Sequence, residues 1–176
     1  IKVIGSDLWC DEPGFFDETE KIGVTGICGS GIIEAIAEMY LSRIISSEGL
    51  IQEQKEKLSD RVFKNGRTFS YLLFEGDQKI IVTQNDIRAI QLAKAALYAG
   101  AKLLMDKIGI SQVDKIRFAG AFGSHIDVKY AMMLGLIPNC KIDEVTSAGN
   151  AASTGARIAL LDLDSRKEIE NAVENI

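Results

Sequence analysis

Three short turns in this sequence place glycines beside groups that can do chemistry. The first is "TGICGSGIIE", residues 25–34, in which Gly29, Ser30 and Gly31 open a run with helical spacing. A helix start leaves backbone N–H groups without partners and carries a partial positive charge. Glycines let an anion approach such a start closely, because no Cβ intrudes. The turn is therefore a candidate phosphate nest, or else a helix entry packed tightly against a neighbour. It fits neither GxxxxGK[ST] nor GxGxxG. Glu34 lies one helical turn further in, placed to accept hydrogen bonds from ribose hydroxyls if a nucleotide sits there.

The second turn is "RFAGAFGSHID", residues 117–127, where a short strand ends and a helix follows. Ligands of α/β sheets bind outside the carboxyl ends of strands. Gly120, Ala121, Phe122 and Gly123 can let a flat base or a phosphate lie against the backbone, or can simply make a tight strand–helix turn. The third is "SAGNAASTGA", residues 147–156. Here Gly149 and Asn150 make a turn and N-cap, and the small residues that follow predict a helix pressed against another helix. This third turn reads as structural.

Cys28 is expected to be small, buried and inert. A thiol near a helix start can be activated, but a catalytic cysteine needs a base, and His125 is the sole histidine. His125 reads as a helix-entry residue, with Asp127 capping a helix over 127–134. The three cysteines, Cys10, Cys28 and Cys140, are far apart and odd in number. They make a disulfide framework, a structural zinc site or an iron–sulfur cluster held by this chain alone poor readings. No metal ligands and no catalytic residues are assigned.

The elements that must position these turns alternate between strand and helix. Residues 1–5 read as a strand and 10–20 as an acidic surface loop. A helix runs from Ser30 to near "SSEG", with Ile33, Ile36, Ala37, Tyr40, Leu41 and Ile44 on one face and Gly49 as its stop. Residues 52–62 read as polar and exposed. "RTFSYLLF" and "KIIVT" read as two strands joined by a turn. "TQND" places Thr83 as N-cap and Asp86 as its capping-box partner. The helix behind it carries a stripe of Ile90, Ala93, Leu97, Ala101, Leu104 and Ile108, and Gly100 with Ala95, Ala96 and Ala99 predicts close helix packing. "DKIRFAG" reads as a strand, "HIDVKYAMMLG" as a helix with Met132 and Met133 in the core, and "TSAGN" as a loop. Arg88 and Lys94 fall on the polar side.

The layout is α/β with a mixed sheet. Its 176 residues suffice for one well-buried domain. Hydrophobic residues make up 47% and charged residues 26%, with a net charge of −5, as expected of a soluble globular protein in a cytoplasm. An acidic chain without a basic stripe argues against nucleic acid as a partner. No apolar run reaches the about 20 residues needed to span a bilayer. The opening "IKVIGSDL" lacks a Met and reads as a strand entered midway, in an excerpt of a longer protein.

The combination of "GICGSGIIEAIAEM", "VTQNDIRAIQLAKAALYAGAKLL", "IRFAGAFGSHIDVKYAMMLGLIP" and "SAGNAASTGARIALL" resembles the ATPase domain of the reductive activators of corrinoid proteins, the RACo/RamA type. The resemblance covers residues 22–163, between an entry segment (1–21) and a charged terminal helix or tail (164–176). It implies the second-half lobe of an actin/sugar-kinase/Hsp70-type (ASKHA) fold. It further implies ATP or ADP with Mg²⁺ as ligand, and a parent protein carrying a [2Fe-2S] or [4Fe-4S] cluster in another domain. The implied activity is ATP-coupled reduction of Co(II) corrinoid to Co(I). The implied client is a corrinoid iron–sulfur or corrinoid methyl-transfer protein of one-carbon metabolism, and a homodimer is compatible with it. On this resemblance Gly120, Ala121, Phe122, Gly123 and Ser124 match the adenosine loop, and Gly29, Ser30, Gly31 and Glu34 match the segment facing the nucleotide. The chain departs from the full pattern by lacking both a cysteine array and the DxGT-type loop that organises Mg²⁺. Two other readings stay open: an activator of the hydroxyacyl-CoA dehydratase type, and a non-catalytic docking or dimerisation module that keeps the fold.

Overall fold

A computed structural model describes residues 1–53 and 59–175. The described chain forms two compact units, Ile1–Leu97 and Tyr98–Ile176. The expectation for residues 54–58, inside the polar stretch 52–62, lies outside the described residues, as does Ile176.

The first unit begins with a turn at Gly5 (φ +96°), closed by a single antiparallel bridge between Lys2 and Trp9. The expected strand over 1–5 is thus one bridge. The expected acidic loop is mostly helix α1 (Phe15–Ile22). Gly14, in the left-handed region at φ +87°, turns the chain into it, and Asp17 and Glu18 sit in its first turn, where the helix dipole favours acid. Phe15 is fully buried, edge-on to Phe74 at 6.2 Å. Burial of one aromatic and the dipole together outweigh the loop signal of Pro13–Gly14.

Helix α2 (Gly29–Leu41) buries Ile33, Ile36, Ala37 and Met39. It stops at Leu41, well before Gly49, and leaves Tyr40 and Leu41 exposed. The stop is a Schellman motif built without glycine: Ile44 N–H donates to Met39 O (2.8 Å), Arg43 N–H to Tyr40 O (3.0 Å), and Arg43 takes φ +56°. Gly49 (φ +81°) instead turns the chain between Ile45 and Ile51, which form an antiparallel bridge.

An antiparallel meander follows: β1 (Val62–Asn65), β2 (Thr68–Glu75) and β3 (Lys79–Thr83), in the order β1-β2-β3. The β2–β3 hairpin is the one expected. Strand β1, of which only Val62 falls in the stretch read as polar and exposed, pairs Val62 with Tyr71 and Asn65 with Thr68 around a two-residue turn at Gly66–Arg67. A positive φ at Gly66 alone gives that turn the type II′ pattern that matches strand twist. Leu73 is an extra residue between the pairs Leu72–Ile81 and Phe74–Ile80, and Arg61 Nη1 donates to the carbonyls of Leu72 and Leu73 beside this bulge. Val62, Phe74 and Val82 point into the core.

Helix α3 (Gln84–Lys107) starts with the predicted capping box: Thr83 N–H donates to Asp86 Oδ2 (2.8 Å), and Asp86 N–H to Thr83 Oγ1 (3.2 Å). The side chain of Gln84 bonds the backbone of Gly49 and Ile51, tying this start to the preceding turn. The buried residues of the helix are Ile87 and Met105, whereas Leu97, Leu104 and Ile108 of the expected stripe are exposed. The predicted face is rotated from the buried one, because leucines occur on more than one side of the helix. The packing expected at Gly100, Ala95, Ala96 and Ala99 is not found. These residues are exposed, and a Cβ at Gly100 would meet no neighbour within 4 Å.

In the second unit β4 (Ile116–Phe118) and β5 (Val145–Ser147) pair in parallel, with Ile116 opposite Val145 and Phe118 opposite Ser147. "TSAGN", expected as loop throughout, is therefore strand in its first residues. Between the strands lie a 3-10 turn (Gly123–His125) and helix α4 (Val128–Met133), capped as expected by Asp127 Oδ1, which accepts from Lys129 N–H (2.8 Å) and Tyr130 N–H (3.2 Å). Ala131 is the buried residue of α4; Met133 is exposed and Met132 half-buried, against expectation. Helix α5 (Ala151–Leu161) is capped by Asn150, and α6 (Leu163–Glu174) folds against it, with Arg166 Nε donating to Ala159 O (2.8 Å). The small face of α5 is largely exposed, so the expected helix contact is absent there among the described residues.

Candidate functional site

The first glycine turn is the first turn of α2. Cys28 is its N-cap, in extended conformation (φ −74°, ψ 162°), with Sγ accepting from Gly31 N–H at 3.3 Å and 3.4 Å from Ser30 Oγ. The N–H groups of Gly29 and Ser30 precede the first intrahelical bond, from Ile32 N–H to Cys28 O, and so remain open to an acceptor. Glu34 is half-buried one turn in. Gly31 has a local reason to be glycine: a Cβ there would come within 3.1 Å of Cys28 Sγ and 3.2 Å of Ile27 Cγ1.

Cys28 is exposed, which corrects the expectation of a buried thiol. Its pKa is lowered, chiefly by the hydrogen bond with Ser30, which with smaller help from the N–H groups of Gly31 and Cys28 outweighs desolvation and the charge of Glu34. Donors within the same helix turn favour the thiolate, an effect that does not depend on a nearby histidine.

The second turn leaves the carboxyl end of β4. Gly120 takes φ +102°, a conformation that L side chains rarely adopt, with open space where a Cβ would stand. Gly123 is close-packed instead, its notional Cβ 3.0 Å from Phe118 Cβ. Ala121, Phe122 and Ser124 are exposed, and Phe122 offers an open ring face (54% exposed). His125 is exposed at the end of the 3-10 turn.

The third turn, read as structural, lies directly beside the second. It leaves the carboxyl end of the neighbouring parallel strand. Ala148 N–H donates to Phe118 O (2.7 Å), Gly120 N–H donates to Gly149 O (2.8 Å), and Ser147 Oγ meets Ser124 Oγ at 3.2 Å. Two adjacent parallel strand ends thus carry glycine turns, each followed by a helix with a side-chain cap, and the carboxyl ends of strands are where α/β sheets generally bind ligands. Ser147, Gly149 and Asn150 join the candidate residues on that ground. The signal was the strand pairing, which no local pattern reveals.

Two open clefts of the first unit lie apart from all of these residues. One, of about 260 Å³, is lined by Phe16, Thr19, Glu20 and Phe74 among others, and one of about 360 Å³ by Glu48, Gln84, Arg88 and Gln91 among others. Among the described residues no three His, Cys, Asp or Glu are grouped so as to hold a metal ion. No helix is long and apolar enough to cross a membrane among those residues.

The architecture is α/β, and similarity to known proteins makes it an actin-like ASKHA domain. The family model described as "C-terminal domain of RACo the ASKHA domain" matches residues 1–176, and the chain belongs to that family. It is 38% identical over 168 residues to the corrinoid activation enzyme RamQ of Eubacterium limosum, covering 89% of this chain and 28% of RamQ. A solved structure titled "Reductive activator for corrinoid,iron-sulfur protein" superposes with a TM-score of 0.75 at 29% identity, over 84% of this chain and 24% of that one. The chain thus spans about a quarter of the length of each of these relatives.

Proposed function

We propose that this chain is the ATP-binding part of a reductive activator of a corrinoid protein. In the longer protein, one electron passes from a reduced iron–sulfur cluster to Co(II) of the client's corrinoid, giving Co(I) and the oxidised cluster. ATP binding or hydrolysis makes that uphill transfer favourable. A nucleotide would supply differential affinity for two conformations, and that difference is the available coupling energy.

The observation that carries the reading is the pair of glycine turns at the ends of β4 and β5, in a chain whose relatives are named as corrinoid activators. Gly120, Ala121, Phe122, Gly123 and Ser124 would hold the nucleoside. Gly29 and Ser30 would offer N–H groups to phosphate, Gly31, whose own N–H is taken by Cys28 Sγ, would keep side-chain bulk out of that turn, and Glu34 would offer a carboxylate to ribose. Among the described residues no three His, Cys, Asp or Glu are grouped around one point, and the three cysteines are dispersed, so this chain offers neither a cluster's ligand set nor the DxGT-type loop that organises Mg²⁺. Both are assigned to the remainder of the longer protein, and the client to a corrinoid iron–sulfur or corrinoid methyl-transfer protein.

The test is a titration of the full-length protein with ATP and ADP, with alkylation of Cys28 followed in parallel. Saturable binding that slows alkylation of Cys28 is expected. A folded protein that binds neither nucleotide overturns the reading.

A further inference from the structure

We infer that Ser147 is a positioning residue that holds the Gly120–Ser124 turn in its ligand-receiving shape, through a closed circuit of hydrogen bonds. The part of the inference that concerns nucleotide rests on the function proposed above. The circuit itself rests on geometry alone. Gly149 N–H donates to Ser147 Oγ (3.1 Å), Ser147 O–H to Ser124 Oγ (3.2 Å), Ser124 O–H to Gly120 O (3.1 Å), and Gly120 N–H back to Gly149 O (2.8 Å).

Each hydroxyl has one proton to give. Ser124 spends its proton on Gly120 O, so it must accept from Ser147, and Ser147 in turn accepts from Gly149. The direction of every bond is thereby fixed. The circuit begins and ends on two glycines with positive φ, Gly120 at +102° and Gly149 at +63°. Glycine turns have the most conformational freedom to lose, and the serines add side-chain ties to the backbone bonds Gly120 N–H to Gly149 O and Ala148 N–H to Phe118 O. Both serines are exposed and contribute no apolar burial, so packing does not account for them. Their protons point inward, which leaves only lone pairs outward. With the circuit intact, these hydroxyls match a ligand donor, such as a ribose hydroxyl or a base amino group, better than a phosphate oxygen.

The test uses the full-length protein with Ser147→Ala, Ser147→Thr, Ser124→Ala and the double alanine variant. ADP affinity is measured by calorimetry, and amide hydrogen exchange over residues 119–124 without nucleotide. Ser147→Ala is expected to weaken ADP about three- to tenfold, the worth of one hydrogen bond, and to speed exchange at Gly120, whose own partner is Gly149. Ser147→Thr should restore both. Because either alanine opens the same circuit, the double variant should lose no more than one single variant. Unchanged exchange in Ser147→Ala, or losses that multiply in the double variant, overturns the inference. Absence of ADP binding in the parent protein overturns the proposed function instead, and the exchange measurement still decides the circuit.

Discussion

Cys28 sets what the first turn of α2 can do at the scale of single residues. Its thiol is exposed, caps the helix through Gly31 N–H and is held below its ordinary pKa chiefly by Ser30. Thiolate is the reactive form, so at any pH below the ordinary value more of Cys28 reacts than of a free cysteine. The half-maximal pH for iodoacetamide alkylation of Cys28 is therefore expected below that of a reference peptide thiol. Ser30→Ala removes the largest lowering contribution and should move the midpoint back up. A Cys28 profile that superimposes on the reference peptide, or one that Ser30→Ala leaves in place, contradicts the assignment. Cys10 and Cys140, both half-buried, serve as internal comparisons in the same peptide map.

Helix ends carry the next set of consequences, because α2 and α3 are terminated and started by different chemistry. Arg43 sits where a Schellman motif normally uses glycine, and a side chain in the left-handed region costs about 1–2 kcal/mol. Glycine there gives back part of this in unfolded-state entropy, so Arg43→Gly should stabilise by about 0.5–1 kcal/mol. A denaturation midpoint that fails to rise rejects that account. Thr83→Ala removes the N-cap of α3 and should cost about 1 kcal/mol by the same measurement. The contrast between the two ends also shows what the sequence made legible. The Thr83–Asp86 box, the β2–β3 hairpin, the cap at Asn150 and the glycine turns at 29–31 and 120–123 are local patterns, and each was readable from a few neighbouring residues. Strand β1 was not, since Lys64 and Asn65 look like surface and become strand only by pairing with Phe69 and Thr68. Nor was the partnership of the second and third turns, which depends on β4 and β5 lying side by side across 28 intervening positions of register, Ile116 against Val145 to Phe118 against Ser147. The end of α2 was missed because Arg43 occupies a position whose usual signal is glycine.

For the molecule as a whole, the exposed apolar surface is the feature to be explained. Leu92, Leu97, Leu103 and Leu104 on α3 and Ile108 just past its end are all more than half exposed, and so are Leu160, Leu161 and Leu163 around the α5–α6 junction. Single exposed leucines are ordinary, but clusters of this kind on successive turns favour association. The family model spans the full chain, so these helices belong to the domain, while the relatives carry roughly three times as much additional polypeptide. Residues 1–176 expressed alone are therefore expected to bind anilinonaphthalene sulfonate and to self-associate in sedimentation, and the longer protein to do so much less. Paired substitutions separate a covered face from one that is merely tolerated. Leu103→Lys with Leu104→Lys should leave the stability of the isolated chain within about 0.5 kcal/mol, since both sites are open to water there. If further polypeptide covers this face, the same pair places two charges in an apolar contact of the longer protein and lowers its denaturation midpoint sharply. Equal, small effects in both proteins would show that α3 keeps its leucines in solvent throughout, and low dye binding by the isolated chain would remove the reason for expecting a cover at all.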